Sequence, residues 1–154
     1  MKNLKTIIYL ILLSVASFGI LACSSSKPTK TDQLDNLEIK ESNGIKYVEI
    51  EDGRGSSPAI GKKVTINMIL MDEKNNQIEN TFNTGKPISF TIQPPESDKL
   101  EVIKGLQEGI MTMKEGGRRK FWVPPDMGFG ARASRQIPQN STIIFEVELI
   151  KVHN

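Results

Sequence analysis

Val102-Ile103-Lys104-Gly105-Leu106-Gln107-Glu108-Gly109, then Met113-Lys114-Glu115-Gly116-Gly117-Arg118-Arg119, then Val123-Pro124-Pro125-Asp126-Met127-Gly128-Phe129-Gly130 form the stretch on which the fold turns. Its first block lies within residues 99–111, where Leu100, Ile103, Leu106 and Ile110 recur at intervals of three and four. That spacing puts apolar side chains on one side of a short amphipathic helix. Phe121 and Val123 alternate with Trp122 in a strand that opens after Glu115-Gly116-Gly117 and stops at Pro124-Pro125, because proline has no N–H to give to a ladder. Trp122 is out of phase with its neighbours and belongs on the outer face, either as a contact for another protein or as an exposed aromatic. Arg118, Arg119 and Lys120 read as a solvated hairpin edge, in preference to an anion site.

Outward from this stretch the period of two dominates. Val64, Ile66, Met68 and Leu70 alternate with Thr65, Asn67 and Ile69, and Ile143, Phe145, Val147 and Leu149 alternate with Glu146 and Glu148, which gives each strand one core face. Strands account for most of the chain from Ile45 onward. Antiparallel strands with one helix make an α+β domain. That region contains no cysteine, and its only histidine, His153, is next to the last residue. Thiol nucleophiles and metal-ligand clusters therefore lack their parts, so neither metal nor cofactor is expected, and His153 reads as a solvated tail residue.

The three blocks, in this order and at these spacings, resemble the FKBP-type peptidyl-prolyl cis-trans isomerases. Gly85-Lys86-Pro87-Ile88-Ser89-Phe90 before the helix and Ile137-Pro138 before the last strand extend the resemblance over residues 44–152. It implies a curved antiparallel sheet of about five strands wrapped around one short α-helix, with a shallow apolar pocket between them. The family's pocket positions fall on Met68, Ile78, Glu79, Ile88, Val102, Ile103, Leu106, Phe129, Ile137 and Phe145. Ile103, Phe129 and Glu79 are carried over as the catalytic positions and the others as substrate-binding ones. Apolar residues on strands and helices are core by default, so Ile78, Ile88 and Val102 would read as packing without the family. Phe129 and Ile137 stand in a Gly- and Pro-punctuated stretch where packing gives an apolar side chain less reason to sit.

The resemblance also implies the activity. Similarity to the family assigns the Ile103 N–H to a substrate carbonyl, with Leu106 at the pocket floor and Phe145 against the prolyl ring. The chain departs from well-studied members at Met68 and Phe129, where tyrosine is usual, and at Leu106, where tryptophan is. Glu79 replaces an aspartate and carries its carboxylate one methylene further out. This pocket is therefore more aliphatic, and Phe129 has no hydroxyl to offer a carbonyl.

The N-terminus carries a different message. Lys2 and Lys5 precede an apolar run at residues 7–22, about sixteen residues long, short of the roughly 20 that a spanning helix prefers. This is a secretory signal. Ile20-Leu21-Ala22-Cys23 resembles a bacterial lipobox, in which the cysteine is acylated and becomes the mature N-terminus. The alternatives are an ordinary cleavage site and an uncleaved anchor. The expected organisation is a signal peptide at 1–22, an acylated Cys23 with a flexible tether at 23–43, and the isomerase domain at 44–154. The polar tether would hold the domain on the order of 25 Å from a bilayer, and each buried acyl methylene contributes about 0.8 kcal/mol. Ser24, in place of an inner-membrane retention aspartate, favours the outer membrane in a diderm cell. Cys23 is the only cysteine, so no intrachain disulfide forms.

Of the 20 basic residues, removal of Lys2 and Lys5 leaves 18, against 18 acidic ones. A balanced, interspersed surface has no footprint for nucleic acid. The expected partners are proline-containing polypeptides and a lipid bilayer. The leading function is prolyl isomerisation during folding of exported proteins at the bacterial envelope. The alternatives are a weakly catalytic prolyl-binding chaperone and a structural lipoprotein.

Overall fold

A computed structural model of the chain describes residues 38–132 and 136–154. The proposed signal at 1–22, Cys23 and the tether as far as residue 37 lie outside the described residues.

Seven strands form one open sheet: β1 (Lys40–Ser42), β2 (Ile45–Glu51), β3 (Lys63–Met71), β4 (Gln77–Asn80), β5 (Ile88–Thr91), β6 (Arg118–Val123) and β7 (Ile143–Val152). A single helical turn, α1 (Thr81–Thr84), separates β4 from β5, and the main helix, α2 (Lys104–Ile110), precedes β6. The order is β1-β2-β6-β7-β3-β4, with β5 also on β3 and every pairing antiparallel. The α+β fold is the expected one. Its strand number exceeds about five because β1, β4 and β5 are only three or four residues long, too short to show a clear alternation. Strand β1 also begins inside the stretch read as tether.

Alternation decides the faces. Val64, Ile66, Met68 and Leu70 of β3 meet Phe121 and Val123 of β6 and Ile143, Phe145, Val147 and Leu149 of β7 in one buried cluster. Phe121 lies opposite Phe145 across the β6–β7 pair, with ring centroids 5.5 Å apart. Burying each such side chain contributes about 1.5–3 kcal/mol.

Strands β4 and β5 share one edge of β3. The first pairs with Ile69 to Met71 and the second with Lys63 to Ile66, which leaves Met68 between them. Thr81 fills the gap: its Oγ1 accepts from the Met68 N–H at 2.8 Å, and Thr81 is buried. The turn α1 closes on Gly85, whose φ of 62° is left-handed and suits glycine.

Helix α2 starts five residues later than its apolar spacing predicts. Residues 94–99 form a turn in which Ser97 N–H donates to the Pro94 carbonyl and Lys99 N–H to Ser97 Oγ. Ile103 is the extended residue that begins the helix. Leu100 therefore lies outside it. Seven residues are too few to hold a helix in water unaided, so packing must supply the stability. A Cβ built on Gly105 would come within 2.1 Å of Val123 Cγ1, and one on Gly109 within 2.4 Å of the Phe121 ring. The two glycines, four apart and on one side of the helix, let its backbone lie directly on the Val123 and Phe121 side chains of β6.

Gly109→Ala gains up to about 1 kcal/mol of helix propensity. Forcing a methyl against Phe121 is expected to outweigh that and give a net loss of about 1–3 kcal/mol. Urea unfolding at constant slope reads the change as a lowered midpoint.

Candidate functional site

The backbone of α2 is fastened at its C-terminal end by Arg119, which is only 2% exposed. Its Nη1 donates to the Gly109 carbonyl and to Thr112 Oγ1, each at 2.8 Å, while Nε and Nη2 donate to Glu49 of β2. The Tyr47 ring lies 4.0 Å below its guanidinium. The last carbonyls of a helix have no intrahelical partner, and this side chain supplies one. The expectation that Arg118, Arg119 and Lys120 form a solvated edge is thus corrected. Arg119 points inward with Phe121 and Val123, and Arg118 pairs with Glu146 and stacks over Phe82. Only Lys120, whose Nζ is 3.5 Å from Asn75 Oδ1, keeps an exposed contact. His153 is also no free tail residue. It is half-buried, with Nε2 2.9 Å from Thr65 Oγ1 and its N–H on the Lys63 carbonyl. Trp122 alternates outward as expected, half-buried, with the Lys120 ammonium 5.7 Å from its ring.

At the other end of α2 stand the candidate site residues. Met68 on β3, Leu106 on α2, Ile137 in the loop before β7 and Phe145 on β7 are buried in the core cluster. Ile78 on β4, Ile88 on β5, Val102 and Ile103 at the start of α2, and Phe129 are partly buried and pack against it. All nine apolar candidates, drawn from four strands, one helix and two loops, thus converge on one cluster. Four are buried, and five keep surface open to solvent.

Local chemistry explains several of these placements. Phe129 follows the 3-10 turn Pro125–Met127 and is held by a loop in which Gly130 N–H donates to the Pro125 carbonyl. The Gly130 carbonyl in turn accepts from Asn140 N–H at 2.8 Å, which ties this loop to the one carrying Ile137. Ile103 has its carbonyl committed to the N–H groups of Leu106 and Gln107, but its own N–H donates to no group among the described residues. Glu79 is exposed on β4, paired with Leu70 in the ladder, and its carboxylate makes no hydrogen bond or ion pair among the described residues. Sequence reasoning missed Thr81 and Arg119, which set the positions of Met68 and α2. Neither carries a motif of its own.

No group of three or more His, Cys, Asp or Glu among the described residues could hold a metal ion. What these residues offer is apolar surface, part buried and part open, beside the unused Ile103 N–H.

Comparison with known proteins specifies the class. Residues 55–150 match the family profile described as FKBP-type peptidyl-prolyl cis-trans isomerase. The chain is 37% identical over 106 residues to the FK506-binding protein of Neisseria meningitidis serogroup A, covering 68% of this chain and 93% of that one. It is 34% identical over 113 residues to the FKBP-type peptidyl-prolyl cis-trans isomerase FkpA of Escherichia coli K12, covering 72% of this chain but 38% of the longer relative. The crystal structure of Escherichia coli FkpA superposes with a TM-score of 0.66 at 30% identity, over 80% of this chain and 55% of that one. The chain belongs to the FKBP-type peptidyl-prolyl cis-trans isomerase family.

Proposed function

We propose that this isomerase works at the bacterial envelope on exported polypeptides, tethered through an acylated Cys23, and that rotation occurs over the floor made by Met68, Leu106, Ile137 and Phe145. The carrying observation is the convergence of nine apolar side chains beside the unpaired Ile103 N–H.

A peptide bond resists rotation by about 18–20 kcal/mol because resonance is lost on twisting. At proline the two planar isomers are close in energy and exchange over tens to hundreds of seconds. The twisted amide carries less charge separation than either planar form, so an apolar, water-poor hollow favours it. That is differential binding of the transition state, with no acid, base or nucleophile. In this reading Leu106 and Phe145 receive the ring, while Ile78, Ile88, Val102 and Phe129 wall it off from water. The Ile103 N–H holds the substrate carbonyl. Glu79, at the exposed edge, is free to meet a substrate amide. Each 1.36 kcal/mol of preference for the twisted form is worth about tenfold in rate.

The envelope placement rests on the sequence of residues 1–23. No helix among the described residues is long and apolar enough to cross a membrane, and the lipobox-like tetrapeptide supplies another means of attachment.

Cis-trans exchange of short X-Pro peptides is expected to be accelerated by the protein, and Phe129→Ala and Ile103→Asp are each expected to lower kcat/KM at least tenfold. Background rates in all three proteins would remove catalysis by this site. Suppression of aggregation retained under those conditions would then favour the chaperone reading. Labelling of growing cells with a radioactive fatty acid is expected to mark the protein, and Cys23→Ala to abolish the label. A label that survives Cys23→Ala would contradict the anchor.

A further inference from the structure

The contacts of Gly105 and Gly109 with Val123 and Phe121 set how closely α2 lies on the sheet. Apolar contact has no direction, so the angle at which the helix lies must come from its hydrogen bonds. Buried Gln107 accepts at Oε1 from the Gln93 N–H at 2.7 Å, and Glu108 Oε2 accepts from Asn43 Nδ2 at 3.0 Å. Both hold the helix through side chains, and their partners stand in a loop and a turn. A third tie differs in kind: Arg119 Nη1 donates to the helix backbone itself, at the Gly109 carbonyl 2.8 Å away.

Arg119 is itself held on several sides. It stands on β6 opposite Glu49 of β2, and the register shifts just beyond Glu49, an irregularity that re-aims side chains. Nε and Nη2 donate to Glu49, Nη1 donates also to Thr112 Oγ1, and the Tyr47 ring lies against the guanidinium. A planar, forked group gripped in this way has little freedom to turn.

Packing does not account for an arginine here. Replacing a buried ion pair by apolar side chains of similar volume is often neutral or stabilising. An apolar side chain fills the space but gives the helix no direction. Ile103 begins α2 and Gly109 lies next to its last residue. The two are about 9 Å apart along the axis, so a tilt of about 6° at one end moves the other by about 1 Å. A misplacement of about that size can cost about a hundredfold in rate.

We infer that Arg119, held by Glu49, is a positioning residue of the isomerase: it sets the angle of α2 on the sheet, and thereby the place of the Ile103 N–H and of Leu106 against the substrate. This role rests on the prolyl site proposed above.

The test uses the full chain as cells produce it, 15N-labelled and held in detergent, and compares Arg119→Met and Glu49→Gln with Val152→Ala. Val152 is buried at the end of β7 and belongs neither to the prolyl site nor to the fastening, so its truncation lowers stability alone. Glu49 opens on a polar cavity of about 260 Å3 that Thr112 also lines, which keeps its carboxylate hydrated when Arg119 is replaced. Should Arg119→Met fail to fold, Glu49→Gln weakens the same fastening with the core still filled. On a short X-Pro peptide kcat/KM is expected to fall about tenfold in Arg119→Met and in the same direction in Glu49→Gln, with the Ile103 and Leu106 amide resonances displaced in both. Val152→Ala is expected to unfold at lower urea while keeping the parent's kcat/KM and leaving those two amides in place. A rate in folded Glu49→Gln equal to that of Val152→Ala overturns the inference, and so does a lower rate with the Ile103 and Leu106 amides unmoved. A parent that fails to isomerise X-Pro peptides removes the prolyl site, and the two amides alone then decide whether Arg119 sets the helix.

Discussion

The backbone of α2 rests directly on the Val123 and Phe121 side chains of β6, because Gly105 and Gly109 present only hydrogens to them. Every other feature of the molecule depends on that contact. A larger residue at either position would lift the helix from the sheet and carry Ile103 and Leu106 with it. Phe121 is in turn stacked on Phe145, so the ring that meets the helix also supports a residue of the proposed prolyl site. Arg119 fixes the opposite end by joining the Gly109 carbonyl to Glu49. Breaking a buried pair of this kind by removing one partner costs about 3–5 kcal/mol, which makes the fastening strong for so short a helix.

Leu106 and Ile103 face the cluster shared with β3, β5 and β7, and Gln107 faces a cavity walled by Ile60 and Ile92. Neither side carries a nucleophile or a metal. At the proposed prolyl site, Met68 and Leu106 make the lining largely aliphatic. Rate there depends on how well water is excluded, because the twisted amide gains from a low-polarity surrounding and from little else.

How much of this could be read in the sequence varied with the range of the interaction. The alternations in β3 and β7 were legible because period two follows from the strand itself. The N-terminal limit of α2 was not, since Leu100 continues the apolar spacing while the turn at residues 94–99 holds the chain out of the helix. The burial of Arg119 depends on Glu49, 70 residues away in sequence, and its charge alone suggested solvent. His153 was misread for a similar reason, its partner Thr65 being 88 residues distant. The candidate site came from motif resemblance, not from periodicity. Its apolar members do meet in one cluster, although Ile78, Ile88 and Val102 carried no local sign of it. Gln107 looked like any polar helix residue, because its burial is set by the loop that holds Gln93.

Intermolecular NOEs with a proline-containing peptide test most directly whether the proposed site beside α2 accepts a pyrrolidine ring. The account expects cross-peaks from the prolyl ring protons to the side chains of Leu106, Phe129 and Phe145. Ring contacts confined to other surfaces, with none to these three residues, would contradict it.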